Sequence, residues 1–327
     1  MPTPTLPVAP EITLIDHGVP PDTLLDDVLA GLHAAPKTLP SKYFYDETGS
    51  RLFDAITELD AYYPTRTEMG IMDGYIGEMV EAIGKRALLV EYGSGSSLKT
   101  RVLLDHLPSL VGYVPIDISG EYLLATAYQL AERYPELPIA PIAADYTSDF
   151  RLPSLADEAE NVVAFFPGST IGNFTPEEAE AFLKGTARLV GAGGLLLMGV
   201  DLKKDKHILD LAYDDPEGVT AQFNLNILAR LNRELGADFD LGAFAHRAFY
   251  NASEGRIEMH LVSRATQTVT IGSVAIHFEA GETIHTENSY KYTLNEAAAL
   301  AARAGFGVER VWTDANDWFS VQLLRVM

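Results

Sequence analysis

The chain contains no cysteine. That removes disulfides, thiolate metal sites, iron–sulfur clusters and cysteine nucleophiles, and leaves the compartment open. No apolar run approaches the roughly 20 residues that cross a bilayer, and the first basic side chain is Lys37, so the positive start of a signal peptide is missing too. A cytoplasmic protein with no membrane partner is expected. Positive charge is scarce: 24 Lys plus Arg face 46 Asp plus Glu, a net of −22. Such a chain repels a phosphate backbone, which argues against nucleic-acid partners. Its densest basic stretch, LKKDKH at 202–207, reads as the solvated face of a helix. The eight histidines are scattered without an H-E-x-x-H pair, so no metal is expected, and no G-x-S-x-G turn or internal repeat occurs.

What is present is the material of an ordinary folded protein: 327 residues, 47% of them hydrophobic, enough for one large core or two smaller ones. Residues 1–14, opening MPTPTLPVAP, read as a flexible N-terminal segment, and 20–34 carry apolar residues at helical spacing. From residue 66 short apolar runs (ALLVEYG, GYVPID, IAPIAADY, NVVAFFPGS, GGLLLMGVD) alternate with helices at about 66–84, 98–107, 120–134 and 176–190. Runs of this kind, flanked by Gly, Pro or Asp, predict a parallel sheet covered on both faces, an α/β doubly wound fold. After residue 201 the rhythm changes to one helix, TAQFNLNILARLNREL, and strand-like alternation through RIEMHLVSRATQTVTI and AIHFEAGETIHTENSYKY, which reads as an inserted, partly β subdomain. A helix at 294–304 and a closing hairpin, with Trp312 and Trp318 anchored in the core, complete the expected sheet. The N-terminal segment is expected to pack on the insertion. No exposed apolar helix stands out, so a monomer is expected.

The stretch VEYGSGSSLKT at 90–100 nearly matches three nucleotide-binding signatures. A phosphate-binding P-loop and a dinucleotide turn both fail at Leu98, where each requires glycine. The third, an acidic residue ending a strand followed by x-G-x-G, is met by Glu91, Gly93, Ser94 and Gly95, and resembles the first motif of class I S-adenosylmethionine methyltransferases. That ligand has no phosphate: the turn need only admit a methionine moiety and ribose, a carboxylate complements its cationic charge, and Lys99 is placed to meet its carboxylate. Asp117 and Asp145 end the next two strands, where a carboxylate suits ribose hydroxyls and an adenine amino group respectively, with Tyr146 against the base. S-adenosyl-L-methionine is therefore the expected methyl donor, and an ATP- or NAD-binding enzyme is the rival reading.

KYFYDETGSRLFDAIT, YYPTRTE, GSTIGN, AYDDPEGVTAQFN, RIEMHL and TENSYKY, in this order with the glycine turn, resemble the successive blocks of the histidine-specific S-adenosylmethionine-dependent methyltransferase family, from about residue 20 to the end. The resemblance implies a Rossmann-like methyltransferase core of 62–201 and 288–327 beneath a substrate-binding domain of 15–61 and 202–287. It implies Nα-methylation of L-histidine, up to the trimethylated product hercynine, as the first step of ergothioneine biosynthesis. Tyr45, Gly168 and Asn173 match the positions nearest the reaction. Tyr62 matches a pocket tyrosine, and Asn173 and Tyr213 match carboxylate anchors. Glu287 and Ser289 match the pair that bonds the imidazole, with Met259 packed beside it. Pro167 before Gly168, Asn288 between the ring contacts and His260 after Met259 are departures that bear on acceptor choice. Another amino acid, such as a tryptophan derivative, is the alternative acceptor, and a binding protein on a decayed methyltransferase fold is a third reading.

Overall fold

All six residues of the run Ala87–Tyr92 are buried, as are all seven of Leu195–Asp201, which only strands covered on both faces permit. In the computed structural model of the protein, residues 12–17, 23–94, 98–107, 109–147 and 150–327 are described. In chain order the strands are β1 (Ile15–Asp16), β2 (Lys37–Thr38), β3 (Ala87–Tyr92), β4 (Gly112–Asp117), β5 (Ile142–Ala143), β6 (Asn161–Phe166), β7 (Leu195–Asp201), β8 (Phe244–Asn251), β9 (Arg256–Ser263), β10 (Gln267–Ile271), β11 (Val274–Phe278), β12 (Thr283–Tyr290), β13 (Phe306–Thr313) and β14 (Phe319–Val326). The helices are α1 (Leu24–His33), α2 (Glu47–Thr57), α3 (Tyr63–Ile83), α4 (Leu98–His106), α5 (Gly120–Arg133), α6 (Pro176–Val190), α7 (Lys206–Tyr213), α8 (Val219–Leu235) and α9 (Leu294–Arg303).

The larger sheet has the order β1-β5-β4-β3-β6-β7-β14-β13. Strands β3 to β7 and β1 are parallel, and β14 runs antiparallel between β7 and β13. This is the expected doubly wound α/β arrangement, with the closing hairpin in the expected place. Trp312 is buried and Trp318, half-buried, lies edge-on to Tyr63. The order reverses between β3, flanked by β4, and β6, so a crevice opens at the carboxyl ends of these strands. Helix boundaries follow local chemistry: Thr175 and Glu178 close a capping box at the start of α6, and Thr293 and Glu296 do the same for α9.

A second sheet, β2-β12-β9-β8, packs through its Ile257, Met259 and Leu261 face on α1, α2 and α8, which contribute Leu24, Val28, Ile56, Phe223 and Ile227 to one core. The hairpin β10-β11 adds Val269 and Phe278. Two expected boundaries are corrected. Ile15–Asp16 pairs with β5 at the edge of the larger sheet, not with the insertion. Strand β12 pairs with β9 from Thr283 to Tyr290 and so continues past the expected junction at 287/288, because a ladder anchored at both ends cannot be divided within it. Of the segment expected to be flexible, Ile12 is buried against Ala127 and Ala131 on α5, while residues 1–11 lie outside those described. Among the described residues no helix is long and apolar enough to cross a membrane.

Glycine is required where α3 crosses β7. A Cβ on Gly199 would lie 2.0 Å from the Glu68 Oε1 atom and 3.1 Å from the Phe319 ring. Gly199→Ala is therefore expected to destabilise the protein by about 2 kcal/mol in urea unfolding. Gly185→Ala, inside α6 with only an Arg188 nitrogen at 3.8 Å, is expected to stabilise it by about 0.5 kcal/mol. Equal shifts for the two would refute the steric account.

Candidate active site

The crevice is lined from several strand ends. Gly93, at φ +68°, has nothing within 4 Å of the place a Cβ would occupy, and its N–H donates to the Ile116 carbonyl at 2.9 Å. The backbone is thus held while its outer side stays open to a ligand. Ser94 is buried beside it, and Gly95 lies outside the described residues. Asp117, ending β4, accepts the Ser119 N–H at 3.0 Å, and burial raises its pKa against the pull of that bond. Asp145 accepts from the Thr147 N–H and hydroxyl at 2.9 and 2.6 Å. The Tyr146 ring stands 5.8 to 6.2 Å from Tyr92, Phe166 and Phe182, and burial, with Asp117 and Asp145 adding, pushes its hydroxyl up to about 12. Tyr146 also borders a cavity of about 520 Å³ that reaches Phe150, Phe182 and Arg188. Two carboxylates and an aromatic face in this arrangement can hold a ribose diol and a flat base.

Glu91 and Lys99 are placed differently from the simplest expectation. The Glu91 carboxylate is buried and accepts from the Thr100 hydroxyl at 2.6 and 2.7 Å and from the Tyr113 hydroxyl, so it clamps α4 to the sheet. Burial pushes it up to about 7 against those two donors. The Lys99 ammonium lies 2.5 Å from Glu68, whose carboxylate also accepts the Gly168 N–H at 2.9 and 3.0 Å. Glu68 therefore ties the start of α4 to the loop after β6. It went unassigned although it closes the YYPTRTE block; the available signal was a glutamate in the buried stripe Pro64, Glu68, Ile71, Met72 of α3.

The loop after β6 carries Gly168 at φ +80° and Ser169 at φ +57°, and the Ser169 hydroxyl accepts the Asp201 N–H at 2.8 Å. Its short helical turn, Thr170–Asn173, presses on β12 so closely that a Cβ on Gly172 would lie 2.6 Å from the Tyr290 carbonyl. Asn173 is thereby held half-buried, and its side chain makes no hydrogen bond among the described residues.

Beside the crevice Tyr45, Tyr62, Tyr213 and Glu287 lie within electrostatic reach of one another, and Tyr45 and Glu287 stay partly exposed although surrounding atoms desolvate both, which makes their cluster a hollow. Tyr62 and Tyr213 meet edge to face at 6.0 Å, and Tyr45 stands edge-on to Phe53 and Phe223 at 5.7 and 5.8 Å. Tyr45 is 45% exposed. Burial pushes the Tyr45 and Tyr62 hydroxyls well above their ordinary range, and Glu287 and the neighbouring tyrosines push the same way. Tyr146 of the crevice bears on Tyr45 as well, so hollow and crevice adjoin. A bulge in β12 between His285 and Glu287, with a His285 ring nitrogen 3.1 Å from the Glu287 carbonyl, sets the glutamate in place. Its carboxylate has no hydrogen-bond partner among the described residues. Burial pushes Glu287 up to about 7, opposed by Lys291. Met259 lies opposite Glu287 on β9 and is buried.

The family model described as "Histidine-specific methyltransferase, SAM-dependent" matches residues 24–326. The chain belongs to this family. It is 44% identical over 302 residues to the histidine N-alpha-methyltransferase of Mycobacterium tuberculosis, covering 91% of this chain and 93% of that one. It is 43% identical over 307 residues to the histidine N-alpha-methyltransferase of Mycolicibacterium smegmatis, covering 92% and 94%. Ergothioneine biosynthesis protein 1 of Neurospora crassa is 28% identical over 303 residues, which cover 86% of this chain and 32% of that longer protein.

In this methyltransferase the hollow rests on a charged layer. Asp201, buried at the end of β7, accepts from the Tyr63 hydroxyl at 2.7 Å and lies 2.5 Å from Lys204 and 2.8 Å from Lys291. Burial alone would raise Asp201, but Lys291 and Lys204 outweigh it and hold the carboxyl low. The solvated-helix reading of LKKDKH is corrected at Lys204: its side chain is 4% exposed, and burial lowers it to about 8 against the pull of Asp201. Tyr213 and Ser289 share a hydrogen bond of 2.9 Å directly above Lys291. Glu258, His260 and His285 also gather, on the opposite side of β9 from Met259. They are poorly arranged for a metal, since the imidazoles stack at 22° and Arg256 already occupies Glu258 at 2.8 Å.

The raised Glu287 gives a pH signature. A carboxyl whose folded pKa exceeds its unfolded value of 4.5 holds its proton more tightly when folded, so its contribution to stability is lost as pH rises through about 7. Burial lowers His246, His260 and His285, which act with the opposite sign over part of that window, so the comparison must be with a variant. Glu287→Gln is expected to gain about 2 kcal/mol on the unliganded wild type between pH 5 and pH 8 in urea unfolding. A difference that does not change with pH would contradict the desolvation of this half-buried carboxyl.

Proposed function

We propose that this protein methylates the α-nitrogen of L-histidine with S-adenosylmethionine, carrying it to Nα,Nα,Nα-trimethylhistidine in ergothioneine biosynthesis, and that it acts as a cytoplasmic monomer. The observation that carries this reading is Glu287: a carboxylate without a hydrogen-bond partner among the described residues, at a hollow walled by three tyrosines beside the crevice. An imidazole N–H satisfies that acceptor, whereas an apolar side chain would leave it buried and unpaired. The histidine N-alpha-methyltransferases to which the chain is similar support the same acceptor.

When bound, S-adenosylmethionine supplies a methyl group on a cationic sulfur that departs neutral, so alignment dominates the rate. Asp117, Asp145 and Tyr146 hold the donor in the crevice, and Lys99 is within reach of its carboxylate. Asn173 and Tyr213 fix the carboxylate of the amino acid, and Glu287 and Ser289 its ring beside Met259. The α-nitrogen then lies at the rim shared by Tyr45, Tyr62 and Gly168. The raised tyrosines remain phenols at neutral pH, so they accept and donate hydrogen bonds rather than take up the proton. As N–H donors are lost, their ring faces hold the methylated cation.

Mass spectrometry of histidine incubated with the protein and S-adenosylmethionine, beside tryptophan and other amino acids, tests this. Mono-, di- and trimethylated histidine with the methyl groups on the α-nitrogen is expected. Glu287→Ala is expected to lower kcat/KM for histidine by about 10² or more while leaving S-adenosylhomocysteine binding intact. Methylation of a different acceptor, or none with the donor bound, would overturn the reading.

A further inference from the structure

Lys291 is fully buried and out of reach of any substrate: the exposure of its side chain is 0%. Its three ammonium protons have three acceptors, the Asp201 carboxylate at 2.8 Å, the Ser289 hydroxyl at 2.8 Å and the Tyr213 hydroxyl at 3.0 Å. An ammonium donates and never accepts, so both hydroxyl oxygens must accept from it. Between them Tyr213 and Ser289 own two O–H protons. One closes their mutual 2.9 Å bond, and one is left over. Neither hydroxyl has a further hydrogen-bond partner among the described residues, so the spare proton is left for a ligand, on the side where the Tyr62 ring meets Tyr213 at 6.0 Å. Charge adds to this directionality. Lys204 and Lys291 both pair with the one carboxylate of Asp201, with Asp314 bearing on Lys204 from outside the pair, so the charge directly beneath the two hydroxyls, that of Lys291, is positive.

From this geometry we infer that Lys291 is a positioning residue for carboxylate recognition: it orients the Tyr213 and Ser289 hydroxyls so that Ser289 donates to Tyr213 and the Tyr213 O–H, backed by buried positive charge, is presented to the anionic end of the amino acid. The inference rests on the proposed amino-acid site and assigns the origin of its selectivity to a residue that never touches the ligand. A neutral side chain at 291 would free both hydroxyls to rotate and remove that positive charge, weakening a carboxylate more than an amine or a ring.

Calorimetric titration of histidine and histamine, which lacks the carboxylate, into the protein saturated with S-adenosylhomocysteine separates the two claims. Wild type that fails to bind histidine refutes the amino-acid site itself. Given binding, Lys291→Met is expected to reduce the preference for histidine over histamine by about 10- to 100-fold, while histamine affinity changes by less than about 3-fold. Lys291→Gln, which keeps two donors but no charge, is expected to move the preference in the same direction by less, and it decides the matter if the methionine variant does not fold. Parallel losses for both ligands, or an unchanged preference, would overturn the inference. So would the failure of both variants to bind S-adenosylhomocysteine, which would make Lys291 a folding element.

Discussion

The buried carboxylate of Asp201 is the point on which the two sheets hang. It ends β7 of the larger sheet, and its partners come from everywhere else: Tyr63 from the first turn of α3, Lys204 from the chain leaving the core and Lys291 from the chain re-entering it. Its own N–H is held by Ser169 of the loop after β6, and its carbonyl accepts from the Tyr292 N–H at 3.1 Å. The segments that leave and re-enter the larger sheet are thus pinned at one atom cluster. A carboxylate this deep is costly unless its lone pairs are met, and here a phenol and two ammonium groups meet them. The arrangement contributes geometry more than stability, since buried ion pairs gain little over well-packed apolar groups, whereas removing one partner strands the others.

That constraint explains why the hollow lies where it does. β12 is fixed at its end by Lys291 and lies under the Thr170–Asn173 turn through the Gly172 contact. The bulge after His285 then decides which way Glu287 faces. Glu68 makes the corresponding tie on the other side, from Lys99 to Gly168. The proposed donor crevice and acceptor hollow are therefore held by two buried carboxylates, Asp201 reached from three segments and Glu68 from two. Methyl transfer depends on alignment within fractions of an ångström, so such cross-ties bear on rate as directly as any residue that touches the reactants.

The parts visible in the sequence were those with a local cause. The parallel strands show as apolar runs between helices, and α6 and α9 announce themselves through Thr175-Pro176 and Thr293 with a glutamate three residues on. The two-residue strands β1 and β2 were invisible, because two residues carry no period and their pairing is set entirely by β5 and β12. The run RIEMHLVSRATQTVTI looked continuous, yet it divides into β9 and β10, the second turning back through Gly272 to β11. Asp201, Glu68 and Lys291 were missed for a common reason. Besides nearer contacts, each has a partner 78 or more residues away, Tyr63 for Asp201, Gly168 for Glu68 and Tyr213 for Lys291, and no spacing rule reaches that far.

The electrostatics of the hollow also fit an amino acid better than either charge taken alone. The whole chain is strongly acidic, which favours approach of a cationic donor and disfavours an anion. Lys291 reverses that sign directly beneath Tyr213 and Ser289, while Glu287 restores a negative pole in the same hollow. A zwitterion with a carboxylate at one end and an N–H donor at the other is stabilised in one orientation and opposed in the reverse one. On the proposed reading that orientation sets the α-nitrogen at the rim of the crevice before any group touches it. Each of the first two transfers leaves a methylated ammonium that must give a proton to solvent before its nitrogen can attack again, and the third leaves a permanent cation; the anchors at the two ends hold the substrate through these steps.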